Sequence, residues 1–178
     1  MMMSVIQPQI SSLAEIEDLE TQVSAAVERS VKVLSEVLNR ASALDVFRKL
    51  KFEQTGHHPL EERRLNLFEQ INQTFTYLAS LHAARWIFGH HPDAGILRLN
   101  LGTAAGSDIE AHDISLAAET FASVDPKNNN KLKSDVQKVS QTHAEHKYVF
   151  YICPKHPAAS PVLMKYSQQV LVVSLGWP

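Results

Sequence analysis

Ser107-Asp108-Ile109-Glu110-Ala111 and, with its glutamate eleven positions on from Asp108, Ala117-Ala118-Glu119-Thr120-Phe121-Ala122 decide how the second half of this 178-residue chain is read. The second stretch has the composition of a buried strand, yet it carries Glu119 in its middle. Burying a carboxylate requires protonation, a basic partner or a metal ion, so Glu119 is the first residue to explain. If the two stretches pair as neighbouring strands, Asp108 and Glu119 can reach the same cation, and two hard oxygen donors with a backbone carbonyl and waters suit Mg²⁺ or Mn²⁺. Glu110 shares the face of Asp108 by the two-residue period and is a further candidate ligand, whereas Asp113 reads as a turn residue. A plainer account also fits these residues, with Glu119 paired to a lysine or arginine at a sheet edge and Asp108 capping a turn.

Outward from this pair the period of two begins at Ile96, Leu97, Leu99 and Leu101, turns at 102–106, and resumes over 107–112 and 114–124. Asp125, Pro126 and three asparagines form a loop. Leu132, Val136 and Val139 then mark a short helix with Lys131, Lys133 and Lys138 on its wet sides. Residues 147–152 are apolar and aromatic enough for a buried, parallel central strand. A short helix is expected over 161–168 and a last strand over 170–175.

The first half reads as helical. Ser12 and Glu15 have capping-box spacing, and apolar residues then recur at three and four over about 12 to 48. Positions 16, 23, 30, 37 and 44 with 19, 26, 33 and 40 make a heptad-like seam that Ser30 and Arg40 interrupt, so it can face a partner helix or its own domain. Pro59 suits the first turn of a second helix, carrying Glu61 and Glu62 against its positive end and running to about Phe88. The motif Gly-His-His-Pro occurs at 56–59 and again at 89–92. Its surroundings do not repeat, and it reads as a helix boundary used twice.

The predicted fold is therefore mixed α/β: two long N-terminal helices, then β-β-β-α-β-α-β around a mixed central sheet. A helical region at 1–92 and an α/β core at 93–178 are expected to form one compact domain. With 44% hydrophobic and 20% charged residues the chain can bury one good core. Its longest apolar runs, around Val149 to Ile152 and Val170 to Val173, fall far short of the ~20 residues that cross a bilayer. Residues 1–10 lack the pattern of a secretory signal, and the one cysteine, Cys153, agrees with a reducing compartment, so a cytoplasmic protein is expected. The net charge of −2 argues against a protein that coats long stretches of nucleic acid and leaves room for a small contact surface.

Over 94–175, the aspartate after Gly106-Ser107, the strand glutamate, the lysine-bearing helix and the strand Tyr148-Val149-Phe150-Tyr151 resemble the PD-(D/E)XK superfamily, which includes many restriction endonucleases and repair nucleases. The resemblance implies Asp108 and Glu119 as metal ligands, Thr120 as a carbonyl donor to the metal, and Mg²⁺ or Mn²⁺ as cofactor. It also implies a lysine two places after the glutamate, where this chain has Phe121, which can neither hold a water nor stabilise developing charge. Lys131 or Lys133, with Lys127 in the loop behind them, is the candidate to replace it. The expected activity is metal-dependent hydrolysis of DNA phosphodiester bonds, of restriction or defence type. Lys127, Lys131 and Lys133 would contact phosphate, and a homodimer would form through the N-terminal helices. The alternative is a nuclease-like module without activity that binds nucleic acid or a protein, which Phe121 and the slightly acidic balance favour.

Overall fold

A computed structural model describes residues 7–102, 105–126, 130–156, 163–165 and 169–176. The chain divides into two compact units, one of residues 1–16 with 76–178 and one of residues 17–75. The boundary between them at 75/76 falls inside a helix. No helix among the described residues is long and apolar enough to cross a membrane.

The larger unit is built on a mixed sheet. Among the described residues its strands are β1 (Gln9–Ile10), β4 (Leu97–Leu99), β5 (Ile109–Ala111), β6 (Leu116–Ala122), β7 (His146–Ile152), β8 (Leu163–Lys165) and β9 (Leu171–Ser174). Their order is β1-β4-β5-β6-β7-β9-β8. From β1 to β6 the neighbours are antiparallel; β6, β7 and β9 are parallel, and β8 returns antiparallel on β9. β6 is thus the strand at which the sheet changes sense, and it lies in the interior, paired on both sides. Its sequence, buried at every position but the last, is what such a place demands.

Alternation along β6 and β7 sends Ala117, Phe121, Val149 and Tyr151 to one face. There they share a core with Leu132, Val136 and Val139 of helix α4 (Lys131–Ser140) and with Val172. The opposite face meets α3 (Leu67–His90), whose residues 76–90 belong to this unit. Ser80 reaches the Thr120 hydroxyl at 2.7 Å, and Trp86 meets Tyr148 and Phe150 edge-on. The predicted helix over 161–168 is not formed at 163–165, which are β8, and the rest of that span lies outside the described residues. Pairing with β9 outweighs the weak helical pattern. β1, too short to show a period, has no counterpart in the sequence reading.

In the smaller unit the expected helix over 12–48 is two. α1 (Leu13–Arg40) opens on the predicted capping box, Ser12 and Glu15 bonding reciprocally at 3.1 and 3.3 Å. α2 (Ala43–Phe52) begins where Ser42 turns out of helical geometry and its hydroxyl accepts from Asp45 N at 3.4 Å. The second predicted helix starts at Leu67, with Asn66 Oδ1 accepting from Glu69 N at 2.9 Å. Residues expected in its first turns form instead the short hairpin of β2 (Gly56–His57) and β3 (Arg64–Leu65). His58, fully buried, closes that hairpin because its Nδ1 accepts from the backbone N–H groups of Leu60 and Glu61 at 3.2 and 3.0 Å. Ser30, the polar break in the seam, is buried and its hydroxyl accepts from His57 N at 3.0 Å. That side of α1 therefore faces its own chain.

Candidate functional site

Asp108 stands just before β5. Its carbonyl accepts from Asn100 N at 2.8 Å, continuing the β4–β5 ladder. Gly106 supplies the turn into it with φ +112°, where a Cβ would meet Glu110 Oε1 at 2.8 Å. On the other side Ile109 pairs with Ala118, so the same register one step further sets Asp108 opposite Glu119. Asp108 Oδ2 accepts from Thr120 N at 2.7 Å and from the Thr120 hydroxyl at 3.3 Å. Since Ser80 of α3 holds that hydroxyl, a chain of hydrogen bonds runs from α3 through β6 to the Asp108 carboxylate. Thr120, expected to offer its carbonyl to a metal, contacts Asp108 through its N–H and hydroxyl.

Glu119 is 2% exposed and projects toward α4 between Ala117 and Phe121. Its Oε2 accepts from Lys138 Nζ at 2.7 Å, while its Oε1 is buried with no hydrogen-bond partner. Burial, then the charge of Asp108, push its carboxyl up to about 7 against the Lys138 hydrogen bond. Burial draws the Lys138 ammonium down, but the Glu119 hydrogen bond and charge outweigh it and the group ends above its ordinary value.

α4 brings a further acid. Asp135 is 3% exposed; its Oδ1 accepts from Lys131 Nζ at 2.8 Å, and its Oδ2 is buried with no partner. Burial raises its carboxyl, the Lys131 hydrogen bond opposes this, and the charge of Asp108 adds to it. Three acids from three elements thus act on one another, with two ammonium groups among them.

The residues expected at the lysine position sort differently from the prediction. Phe121 is buried and stacks on Tyr151 at 5.6 Å, so that position belongs to the core. Lys131 does reach the site: its Nζ pairs with Asp135 and lies 5.9 Å from the Phe121 ring centre. Lys133 is exposed on α4, roughly 200° around the helix from Lys131 at 100° per residue, and does not join the cluster. Lys127 lies outside the described residues. Lys138, read as wet, is the lysine that touches Glu119. A glutamate paired to a lysine is what the plainer account expected, but on an interior strand and not at an edge. Glu110 is committed to Arg98 and to Ser107 N.

Asp135 and Lys138 are the residues that the sequence reading missed. The available signal was helical spacing: 131, 135 and 138 share one side of α4, next to the apolar stripe of Leu132, Val136 and Val139. An aspartate and a lysine bordering a buried stripe are placed to reach a carboxylate on the strand beneath.

As they stand, no three His, Cys, Asp or Glu side chains among the described residues are grouped to hold a metal ion. Two buried carboxylate oxygens of the cluster, Glu119 Oε1 and Asp135 Oδ2, have no hydrogen-bond partner. No protein-family model, curated protein or solved structure matches the chain.

Proposed function

We propose that the chain is a metal-dependent DNA endonuclease of the PD-(D/E)XK kind, with Lys138 in place of the missing motif lysine. The observation that carries this reading is Glu119, buried on the strand where the sheet changes sense, next in that strand to the Thr120 that holds Asp108, with one oxygen on Lys138 and the other unpartnered. The order of three antiparallel strands, a helix and a parallel strand supports it.

In this reading Asp108 and Glu119 hold the cation, and Thr120 contributes its carbonyl. When bound, Mg²⁺ or Mn²⁺ would lower the pKa of a water, neutralise the scissile phosphate and support the leaving oxygen. Ser80 and Thr120 fix the Asp108 carboxylate, so the site is oriented from the α3 side before substrate arrives. Lys138 carries a positive charge on a long stem at the Glu119 carboxylate, where it can donate to an attacking water or a phosphate oxygen. Lys133, exposed on α4, is available for phosphate contact.

Plasmid incubated with Mg²⁺ or Mn²⁺ tests the reading. Wild type is expected to nick or linearise it, and Asp108→Ala and Glu119→Ala to leave it intact; cleavage unchanged in both variants would remove the site assignment. The second reading, a module that binds nucleic acid or protein without cutting, is favoured by Phe121 lying in the core. DNA bound by wild type but left intact with either metal would establish it.

Self-association through the N-terminal helices belongs to the same proposal. α1 and α2 expose the large apolar side chains of Val31, Leu38, Leu44, Phe47 and Phe52.

A further inference from the structure

We propose that the corner where α3 ends against the start of β7 is a pH-sensitive clasp: protons taken up by His91 and His146 together part the two elements and open Trp86 to water. The clasp stands independently of the endonuclease reading.

Both halves lie in the larger unit. The last turn of α3 carries Trp86 and His90, and His91 extends it, its N–H donating to Ile87 O at 2.7 Å. His146, Tyr148 and Phe150 are alternate residues of β7 and share one face of the strand. Trp86 meets Tyr148 and Phe150 edge-on at 5.4 and 5.2 Å, while His90 stacks on it at 3.7 Å. The His91 ring lies 4.8 Å from the His146 ring, and a hydrogen bond of 2.7 Å links His91 Nε2 to the Tyr148 hydroxyl.

Protonation acts on the last two of these contacts. A neutral imidazole can accept the phenol's proton at Nε2, whereas an imidazolium donates from both nitrogens. Tyr148 is buried, so its hydroxyl would then become the acceptor and its own O–H would lose its partner. A second proton does more, because two imidazolium rings 4.8 Å apart are well inside the ~8 Å over which physiological salt screens charge.

The surroundings do not balance two such charges. His90 acts on His91 from its own helix and His146 from β7, and Asp93 of the following turn is the acid that opposes them. Lys147, between His146 and Tyr148 in sequence, is turned to the other face, where its Nζ donates to Ser140 O at 2.9 Å. Glu145, before His146, is exposed. Burial, then the charge of His146, hold the His91 imidazole below its ordinary value against Asp93. A group lowered in this way favours the closed contact above its ordinary 6.5 and opposes it as pH falls.

Acrylamide quenching of Trp86 fluorescence, in the full chain carrying Trp177→Phe so that one tryptophan reports, reads the opening. As pH falls from about 8 to about 5, quenching is expected to rise about two-fold, over a transition steeper than one proton gives, with circular dichroism unchanged. His91→Gln keeps a partner for Tyr148 and cannot become charged; His146→Gln removes the second charge at a half-buried position. Each should abolish the rise or reduce it to a one-proton transition at lower pH, while His90→Gln should leave it in place. A rise that persists unchanged in both His91→Gln and His146→Gln would overturn the clasp, as would quenching that stays constant with all three histidines present. A rise lost in His90→Gln alone would assign it to the stacked ring and overturn the clasp as well.

Discussion

Lys138 Nζ of α4 lies 2.7 Å from Glu119 Oε2 of β6, tying a half-exposed cation to a carboxylate buried in the interior of the sheet. The two ends of this pair live in different media. The lysine loses little if the pair breaks, while the glutamate is left as an uncompensated charge or must take up a proton. Stability and pH response at this place in the sheet depend on the contact.

Lys138→Ala is expected to cost about 1–3 kcal/mol near pH 8, below the full value of a buried pair because the lysine is half in water. Near pH 5, where Glu119 already carries its proton, the loss should shrink. Urea unfolding of wild type, Lys138→Ala, Glu119→Gln and the double variant measures the coupling. An equal loss with and without the glutamate charge would show that the contact carries no energy.

The two units should respond to pH in opposite senses. The Glu119 carboxyl is raised to about 7 by burial and by Asp108, so its contribution is full below its ordinary 4.5 and falls away as pH rises through about 7. His58 is lowered to about 4 by burial and by Arg63, with Glu61 opposing. Its contribution is full above 6.5 and is lost as pH falls through about 4. Glu119→Gln should flatten the high-pH slope and His58→Asn, which keeps an acceptor for the hairpin N–H groups, the low-pH slope. Thermal midpoints from about pH 4 to 8 check this, and slopes unchanged by the variants would exclude both groups as the cause.

Thr120→Val removes the hydroxyl between Ser80 and Asp108 at nearly constant volume. A buried Ser80 hydroxyl then loses a partner, and a stability loss of about 1–2 kcal/mol is expected from chemical unfolding. The same variant should weaken Mn²⁺ binding, because Asp108 keeps the Thr120 N–H and loses the second contact that sets its angle. Wild-type affinity in this variant would mean that the Thr120 hydroxyl does not orient Asp108.

The lysines should separate in a cleavage assay. With Mg²⁺ at saturation, Lys138→Ala is expected to lower the turnover rate by about a hundred-fold or more, the scale of a lost charge-stabilising donor. Lys133→Ala should mainly raise the DNA concentration required and flatten its salt dependence. The reverse pattern would return the catalytic role to Lys133, one of the two lysines, with Lys131, first expected to hold it.

Self-association can be checked by sedimentation of the full chain. A dimer is expected, and Phe47→Glu with Phe52→Glu should yield monomer without loss of helical signal, since both side chains are largely exposed. A wild type that is monomeric at about 100 µM, a concentration at which even weak dimers populate, would rule the dimer out.

The sequence by itself determined the sheet's interior strands and marked Glu119. Strand β6 is apolar at nearly every position, and a carboxylate set among such residues must be compensated wherever the chain puts it. The capping box at Ser12 and Glu15 was legible because both partners lie within one turn. The break at Ser42 was hidden beneath a continuing apolar period, although Ser42 and Asp45 repeat the cap spacing. The hairpin at 56–65 depends on a buried imidazole accepting two backbone N–H groups, which no local pattern announces.

The tertiary structure decided which base answers the acid. Lysines at 131, 133 and 138 are alike in a composition or a periodicity, and helix propensity does not rank them. Only the packing of α4 on β6, with Leu132, Val136 and Val139 pressed to the sheet, turns 131, 135 and 138 toward Glu119 and leaves 133 in water. A partner nineteen residues away in the chain is chosen by how a helix seats on a strand, because electrostatic attraction acts on separation in space and not on order in sequence.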